Sequence, residues 1–249
     1  FYDRRLITFP SPDEHKRAVE FIYVEDGVYD RGSSKINRNE ARQVADLVIK
    51  HVREHPKLSL GVITFSEAQM IAIRTELDTR KRVMPDLEEL LREDGHEGFF
   101  VKNLENVQGD ERDTILFSVG YGPDQAGNMT MNFGPLNKVG GERRLNVAVT
   151  RARHQVKILA SFRPHEIDRN RTAAKGVHLL RSYLEFAEQG PKALLGEITT
   201  EGGEPESTFE MAVADALSAR GLRVASQVGV GAFRIDLAIK DETSDRYLL

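Results

Sequence analysis

Cysteine is absent from the 249 residues, so no disulfide and no thiolate metal site can form, which fits a reducing, cytoplasmic setting. No apolar run approaches the roughly 20 residues a membrane-crossing helix needs, and the N-terminus lacks the pattern of a secretory signal. No membrane partner is expected. There is no low-complexity tract and no internal repeat. A Gly-x-x-x-x-Gly-Lys-[Ser/Thr] loop to cradle phosphates is missing, and so is an acidic strand end to hold magnesium. An excess of positive charge is missing too. Lys and Arg number 35 against 39 Asp and Glu, a formal net charge of −4, which argues against a chain that coats nucleic acid with its whole surface.

What is present describes a soluble globular protein: 40% hydrophobic and 30% charged residues, with length for one large domain or two ordinary ones. The chain starts at Phe1 without an initiator methionine and stops inside the apolar run Tyr247-Leu248-Leu249, so it is expected to be a piece of a longer protein. A β-rich stretch at Phe21 to Val24 reads as an early strand. Apolar positions 41, 44, 45, 48 and 49 keep a helical period, with Asn39 as the expected N-cap. Leu60 to Phe65 reads as a buried strand followed by a helix capped at Ser66. A further helix is predicted over Met84 to Leu91, and strands near Phe99 to Lys102, at Thr114 to Val119 and at Val156 to Ser161. The stretch Gly120 to Gly141 reads as an exposed loop. Strands alternating with helices predict a parallel α/β sheet, with motif residues along one rim of strand ends where such sheets bind ligands.

Two stretches carry the chemistry. Glu142-Arg143-Arg144-Leu145-Asn146-Val147-Ala148-Val149-Thr150-Arg151-Ala152-Arg153 sets four arginines on or beside a short amphipathic segment. From Gly141 to Lys157 there are five Lys or Arg residues and one Glu, a local basic patch suited to a phosphate tail. Arginine offers a planar fork of donors that matches phosphate oxygens. Upstream, Val107-Gln108-Gly109-Asp110-Glu111-Arg112-Asp113 is a polar turn feeding an apolar run. Gly109 lets the backbone turn tightly or approach a ligand, and Gln108 and Glu111 can hydrogen-bond a sugar or a base edge. Read alone, the turn is an ordinary entry to a strand and the arginines an ordinary solvated helix face.

Together the two stretches resemble motifs V and VI of superfamily 1 helicases, in the branch that includes the nonsense-mediated-decay RNA helicase. That branch carries Gln-Gly-x-Glu-x-Asp before a strand and then Arg-Arg-Leu-Asn-Val-Ala-x-Thr-Arg-Ala-[Arg/Lys]. Phe1-Tyr2-Asp3-Arg4-Arg5-Leu6 looks like the segment after the family's Gln-Tyr-Arg-Met-type motif, and Leu58 to Gln69 resembles its strand–turn–helix. The resemblance covers residues 1–163.

The resemblance implies a second, C-terminal RecA-like domain of the P-loop NTPase type, belonging to an ATP-dependent DNA or RNA helicase or translocase, with a bacterial parent. Arg151 corresponds to the arginine finger that reaches the γ-phosphate of ATP, and Arg144 is the next candidate for phosphate contact. Glu111 would accept from the ribose, Gly109 would permit that approach, and Gln108 would link nucleotide and nucleic acid. Gln69 is a further candidate near the nucleotide or the strand path, and Thr64 and Ser66 are candidates for nucleic-acid phosphates. ATP and Mg²⁺ are the implied cofactors of the parent. Single-stranded DNA or RNA and an upstream RecA-like domain of the same polypeptide are the implied partners. Without its own phosphate loop this fragment is not expected to hydrolyse ATP.

Beyond residue 163 a helical connector and linker is expected over 164–204, with residues 196–206 as the linker and Gly176 to Glu188 as a helix. Residues 205–249 resemble the opening of a PD-(D/E)xK nuclease related to very-short-patch repair endonucleases, a partial restriction-endonuclease-like α/β module. Phe209, Val213, Ala216 and Leu217 would form its helix's apolar face. Glu210 would match its helix glutamate and Asp236 its first metal-binding acid, a Mg²⁺ site left incomplete where the chain stops. Two rival readings stand beside the motor: a regulatory or scaffold module that keeps the helicase fold, and a nuclease for which the helicase part is the targeting device.

Overall fold

The computed structural model describes residues 18–94, 97–190, 193, 207–230, 233–240 and 247–248. The chain divides into two units, Ser11–Gly190 and Pro191–Leu249 together with Phe1–Pro10.

In the larger unit five strands lie parallel: β1 (Val19–Tyr23), β2 (Leu60–Thr64), β3 (Phe100–Asn103), β4 (Arg112–Ser118) and β5 (Ala152–Ala160). Their spatial order is β1-β5-β4-β2-β3. Parallel strands need crossovers, and helices supply most of them: α1 (Arg38–Glu54), α2 (Glu67–Val83), the short α3 (Asp86–Leu90), α4 (Gly141–Val149) and α5 (Lys175–Gln189). Burial separates two cores. One face of the sheet, through Leu60, Val62, Val101, Leu116 and Leu159, packs against Ala41, Val44, Ala45 and Val48 of α1, Ile73 and Leu77 of α2, and Leu87 of α3. The other, through Ile63, Ile115, Phe117, Val156 and Ile158, packs against Leu145 and Ala148 of α4 and Val177, Leu180, Leu184 and Ala187 of α5. Every residue of β2 and β4 is buried, the mark of inner strands covered on both faces. Each fully buried Leu, Ile or Phe contributes roughly 1.5–3 kcal/mol.

The expected parallel α/β sheet is there, with three local differences. The cap of α1 is Asn37, whose side chain accepts from Glu40 N at 3.2 Å; Asn39 instead donates to the Asp26 carbonyl at 2.7 Å. Within Gly120 to Gly141, Met131, Phe133 and Leu136 are buried. The stretch is therefore partly a lining of the second core, with a single 3-10 turn at Gly134–Asn137. Finally, α5 is no free connector: its apolar stripe completes the same core as α4. The close approach of α4 and α5 depends on glycine. A Cβ on Gly141 or Gly176 would stand 2.3 or 2.5 Å from the Leu136 carbonyl oxygen.

In the smaller unit, α6 (Thr208–Ser218) precedes an antiparallel sheet of β6 (Arg223–Val230), β7 (Phe233–Lys240) and β8 (Tyr247–Leu248), in that order. Ser207 caps α6 by accepting from Glu210 N at 3.1 Å. The apolar face read on α6 is not buried: no residue of the helix is, and Phe209 is 77% exposed. The opening segment at Phe1 to Leu6 and the linker at 196–206 lie outside the described residues.

Candidate functional site

The chain after β3 must return to the opposite end of the sheet before β4 can run parallel to β2. Residues 104–111 make that return with Leu104 and Val107 buried in the second core. The backbone then turns with Asp110 N donating to the Val107 carbonyl at 3.4 Å, which leaves Gln108, Gly109 and Glu111 exposed. Gly109 has φ +86°, and a Cβ there would meet nothing within 4 Å. The positive φ calls for glycine, and the space beside it is open.

Helix α4 makes the same return between β4 and β5, so both segments descend to the amino ends of the strands on one face. They are joined at both ends by weak ion pairs: Arg144 Nε lies 3.9 Å from Glu105, and Arg151 Nη1 lies 3.9 Å from Glu111. Arg144 also donates to the Val139 carbonyl at 3.1 Å. Arg151 sits in the turn after α4 rather than on it. Its Nε donates to the Val147 carbonyl at 2.8 Å and its Nη2 to Thr150 Oγ1 at 3.2 Å, leaving the side chain 19% exposed. The motif residues thus gather at the amino rim of β4 and β5, where the sequence reading placed them on the ligand-binding strand ends of such sheets, which are the carboxyl ends. The reason is local: both motifs precede their strands.

Behind this pair lies Asp113, 9% exposed. A register irregularity between β4 and β5 sets Arg112 opposite Ala152 but Thr114 opposite Gln155, so Arg153 and His154 both stand across from Asp113. Arg153 Nη1 is 3.5 Å and His154 Nε2 3.6 Å from its Oδ1, while Ser59 donates to Oδ2 from both its backbone N and its hydroxyl at 2.8 Å. Burial works to raise the Asp113 pKa, but the Ser59 hydrogen bonds and the neighbouring Arg153 and His154 prevail and hold it below the ordinary carboxylate range. Arg153 also meets Glu97 at 2.6 Å, and Asp110 meets Lys102 at 2.7 Å.

At the carboxyl rim the picture is different. Gln69, expected near the nucleotide or the strand path, is wholly buried. Its Oε1 accepts from Asn37 N at 2.8 Å and its Nε2 donates to the Asn37 carbonyl at 3.1 Å and Ser118 Oγ at 3.2 Å. Its amide is spent inside the fold. Thr64 is also wholly buried, its hydroxyl donating to the Ser66 carbonyl at 2.8 Å. Ser66 is half-buried and caps α2 by accepting from Gln69 N at 3.2 Å.

Sequence reasoning missed the centre of this cluster, Glu40. Fully buried, its Oε1 accepts from Ser118 Oγ at 2.6 Å and from Gly120 N at 2.8 Å. Burial outweighs these bonds and pushes its pKa up to about 8. Asn37 Nδ2 completes the network by donating to Ser161 Oγ at 2.9 Å. The spacing Asn37-x-x-Glu40, an N-cap residue followed three positions later by glutamate, is the signal that would have found it.

The two acids of the smaller unit lie on separate elements. Glu210 accepts from Ser207 Oγ at 2.9 Å, next to the bond that caps α6, and Asp236 is exposed in β7. Among the described residues no group of three or more His, Cys, Asp or Glu could hold a metal ion.

Five parallel strands between two helical layers give the larger unit an α/β fold consistent with a RecA-like helicase domain. A family described as AAA domain matches residues 5–163, and the chain belongs to that family. It is 36% identical over 220 residues to an uncharacterized ATP-dependent helicase of Mycoplasma genitalium, covering 85% of this chain and 19% of that protein. The homologue from Mycoplasma pneumoniae is 35% identical over 193 residues, covering 75% and 16%. The chain thus spans less than a fifth of the length of each. A crystal structure of the C-terminal domain of a possible DNA helicase from Lactobacillus strain WCFS1 aligns with a TM-score of 0.36 at 14% identity, over 58% of this chain and 74% of that one. Among the described residues no helix is long and apolar enough to cross a membrane.

Proposed function

We propose that the larger unit is the C-terminal motor domain of an ATP-dependent DNA or RNA helicase or translocase. It works beside an upstream RecA-like domain of the same polypeptide, which holds most of the ATP and its Mg²⁺. The observation that carries this reading is the meeting of Glu111 and Arg151 at the amino ends of adjacent strands, 3.9 Å apart beside the open flank of Gly109. These residues fit one side of a nucleotide: an exposed carboxylate for ribose hydroxyls, a backbone without a Cβ, and a guanidinium for phosphate oxygens. Bound ATP supplies the phosphoryl group whose cleavage drives movement. Arg151 neutralises the charge that develops on it, and comparable fingers contribute about 10³–10⁵ in rate.

Arg144, one helix length away, steadies the start of α4 against Glu105 and is the second phosphate candidate. Gln108, exposed between the two ends of the return segment, links the nucleotide side to single-stranded DNA or RNA. Of the three candidates Thr64, Ser66 and Gln69, Ser66 alone keeps exposed surface for a nucleic-acid phosphate. The smaller unit is read as the start of a nuclease-like module to which Glu210 and Asp236 belong, with no cleavage step assigned to it. The cell compartment that fits a cysteine-free motor is the cytoplasm.

The test is ATP turnover by the full-length parent, with and without single-stranded DNA, in wild type and Arg151→Ala. Stimulated turnover that falls at least about a thousandfold in the variant supports the reading. A folded wild type without turnover would point to a scaffold module, and full turnover in the variant would remove Arg151 as the finger.

A further inference from the structure

Arg112 fills the unassigned position between Glu111 and Asp113 of the first motif stretch. It is 7% exposed, which for an arginine requires a full set of partners. Its Nε and Nη2 donate to the Gly98 carbonyl at 2.9 and 2.6 Å, and its Nη1 donates to the Glu111 carbonyl at 2.6 Å. The guanidinium carbon stands 4.9 Å from the centroid of the buried Phe100 ring, a cation–π contact that fixes the plane of the fork.

One peptide group joins these facts. The peptide between Glu111 and Arg112 is planar, so its carbonyl and its N–H turn together. The carbonyl is held by the Arg112 guanidinium, and the N–H donates to the Arg151 carbonyl at 3.0 Å. A rotation of that plane would move the Glu111 carboxylate and release the Arg151 backbone in one motion. The guanidinium, braced on Gly98 and Phe100, prevents it.

We propose that Arg112 is a positioning residue which sets Glu111 and Arg151 in mutual register, so that the finger meets its phosphate in the productive geometry. This rests on the motor reading above. Lysine cannot substitute: a single compact ammonium on a flexible stem does not bridge two carbonyls in a fixed plane. Arg112 acts through Arg151, so its loss should have nothing to act on once Arg151 is gone.

The experiment measures steady-state ATP turnover of the full-length parent with a single-stranded DNA oligonucleotide. It compares wild type, Arg112→Lys, Arg151→Ala and the double variant, with a circular-dichroism melt of each. Arg112→Lys is expected to lower kcat by about a hundredfold, the cost of a misplacement near 1 Å, with KM for ATP unchanged. The double variant should turn over at the rate of Arg151→Ala alone. Wild-type kcat in folded Arg112→Lys overturns the proposal, as do losses that multiply in the double variant. A dead Arg151→Ala beside an intact Arg112→Lys overturns only this inference; full turnover in Arg151→Ala removes Arg151 as the finger and this inference with it, and no turnover in a folded wild type overturns the motor reading as well. If Arg112→Lys does not fold, Phe100→Leu removes the ring beneath the fork. A lower kcat at unchanged KM then supports the proposal, and wild-type kcat overturns it.

Discussion

Glu40 should make this protein less stable as the solution becomes more alkaline, and replacing it with glutamine should abolish that dependence. The folded-state pKa is raised from 4.5 to about 8, so the folded chain keeps a proton that the unfolded chain releases. Stability from this group is therefore complete below pH 4.5, declines as pH rises through the interval, and levels off above about 8. At roughly 1.4 kcal/mol per pH unit the whole interval amounts to about 5 kcal/mol, and the part reached by pH 7 to about 3. Glu40→Gln keeps an oxygen for Ser118 and Gly120 and has nothing to ionise, so it should match wild type near pH 4.5 and exceed it by about 3 kcal/mol at pH 7. Glu40→Ala instead strands the Ser118 hydroxyl and the Gly120 N–H. Each costs about 1–3 kcal/mol, so at pH 5 this variant should be less stable than wild type. Urea unfolding followed by circular dichroism at several pH values reads the difference between variant and wild type. A Gln variant whose stability tracks wild type in parallel from pH 5 to 8 would refute the argument.

Two other substitutions test the packing around the site. Asp113→Asn keeps the shape but loses the charge facing Arg153 and His154, and should cost about 1–3 kcal/mol at neutral pH. Because the Asp113 pKa is lowered in the fold, wild type should lose this advantage as pH falls through 3.8 and below while the variant does not, as acid-side denaturation curves would record. Gly176→Ala should lower the melting temperature, since the new Cβ would meet the Leu136 carbonyl at 2.5 Å and overpacking costs about 1–3 kcal/mol. An unchanged melt would mean that α4 and α5 are not in close contact there.

The residues that could be read correctly from the sequence were those whose signal is local. Ala41, Val44, Ala45 and Val48 carry a helical period by themselves, Ser66 stands three positions before the amide it caps, and Leu60 to Phe65 is apolar but for Thr64. What escaped depended on distant partners. Asn37 and Asn39 are equally suitable caps until Gln69, far along the chain, bonds both backbone groups of Asn37. Met131, Phe133 and Leu136 have no period, because glycines and asparagines separate them and their burial comes from docking under α5. The rim on which the motif residues stand is not legible in the sequence either. That depends on the direction of the crossovers, which a one-dimensional pattern does not carry.

The buried network at the carboxyl ends has a consequence for how the molecule must be used. Strand β2 leads to a helix on one face of the sheet and its neighbour β4 to a helix on the other, so the chain parts between them. In sheets wound both ways that parting is where a nucleotide commonly rests. Here Gln69 and Ser118 bridge it at 3.2 Å, and Glu40 closes it over Gly120 at 2.8 Å. The parting is thus filled from within, by Glu40 of α1 and Gln69 of α2 bonded to Ser118 of β4. On the motor reading proposed above, a nucleotide would then be met not in that parting but at the amino rim, by Glu111 and Arg151.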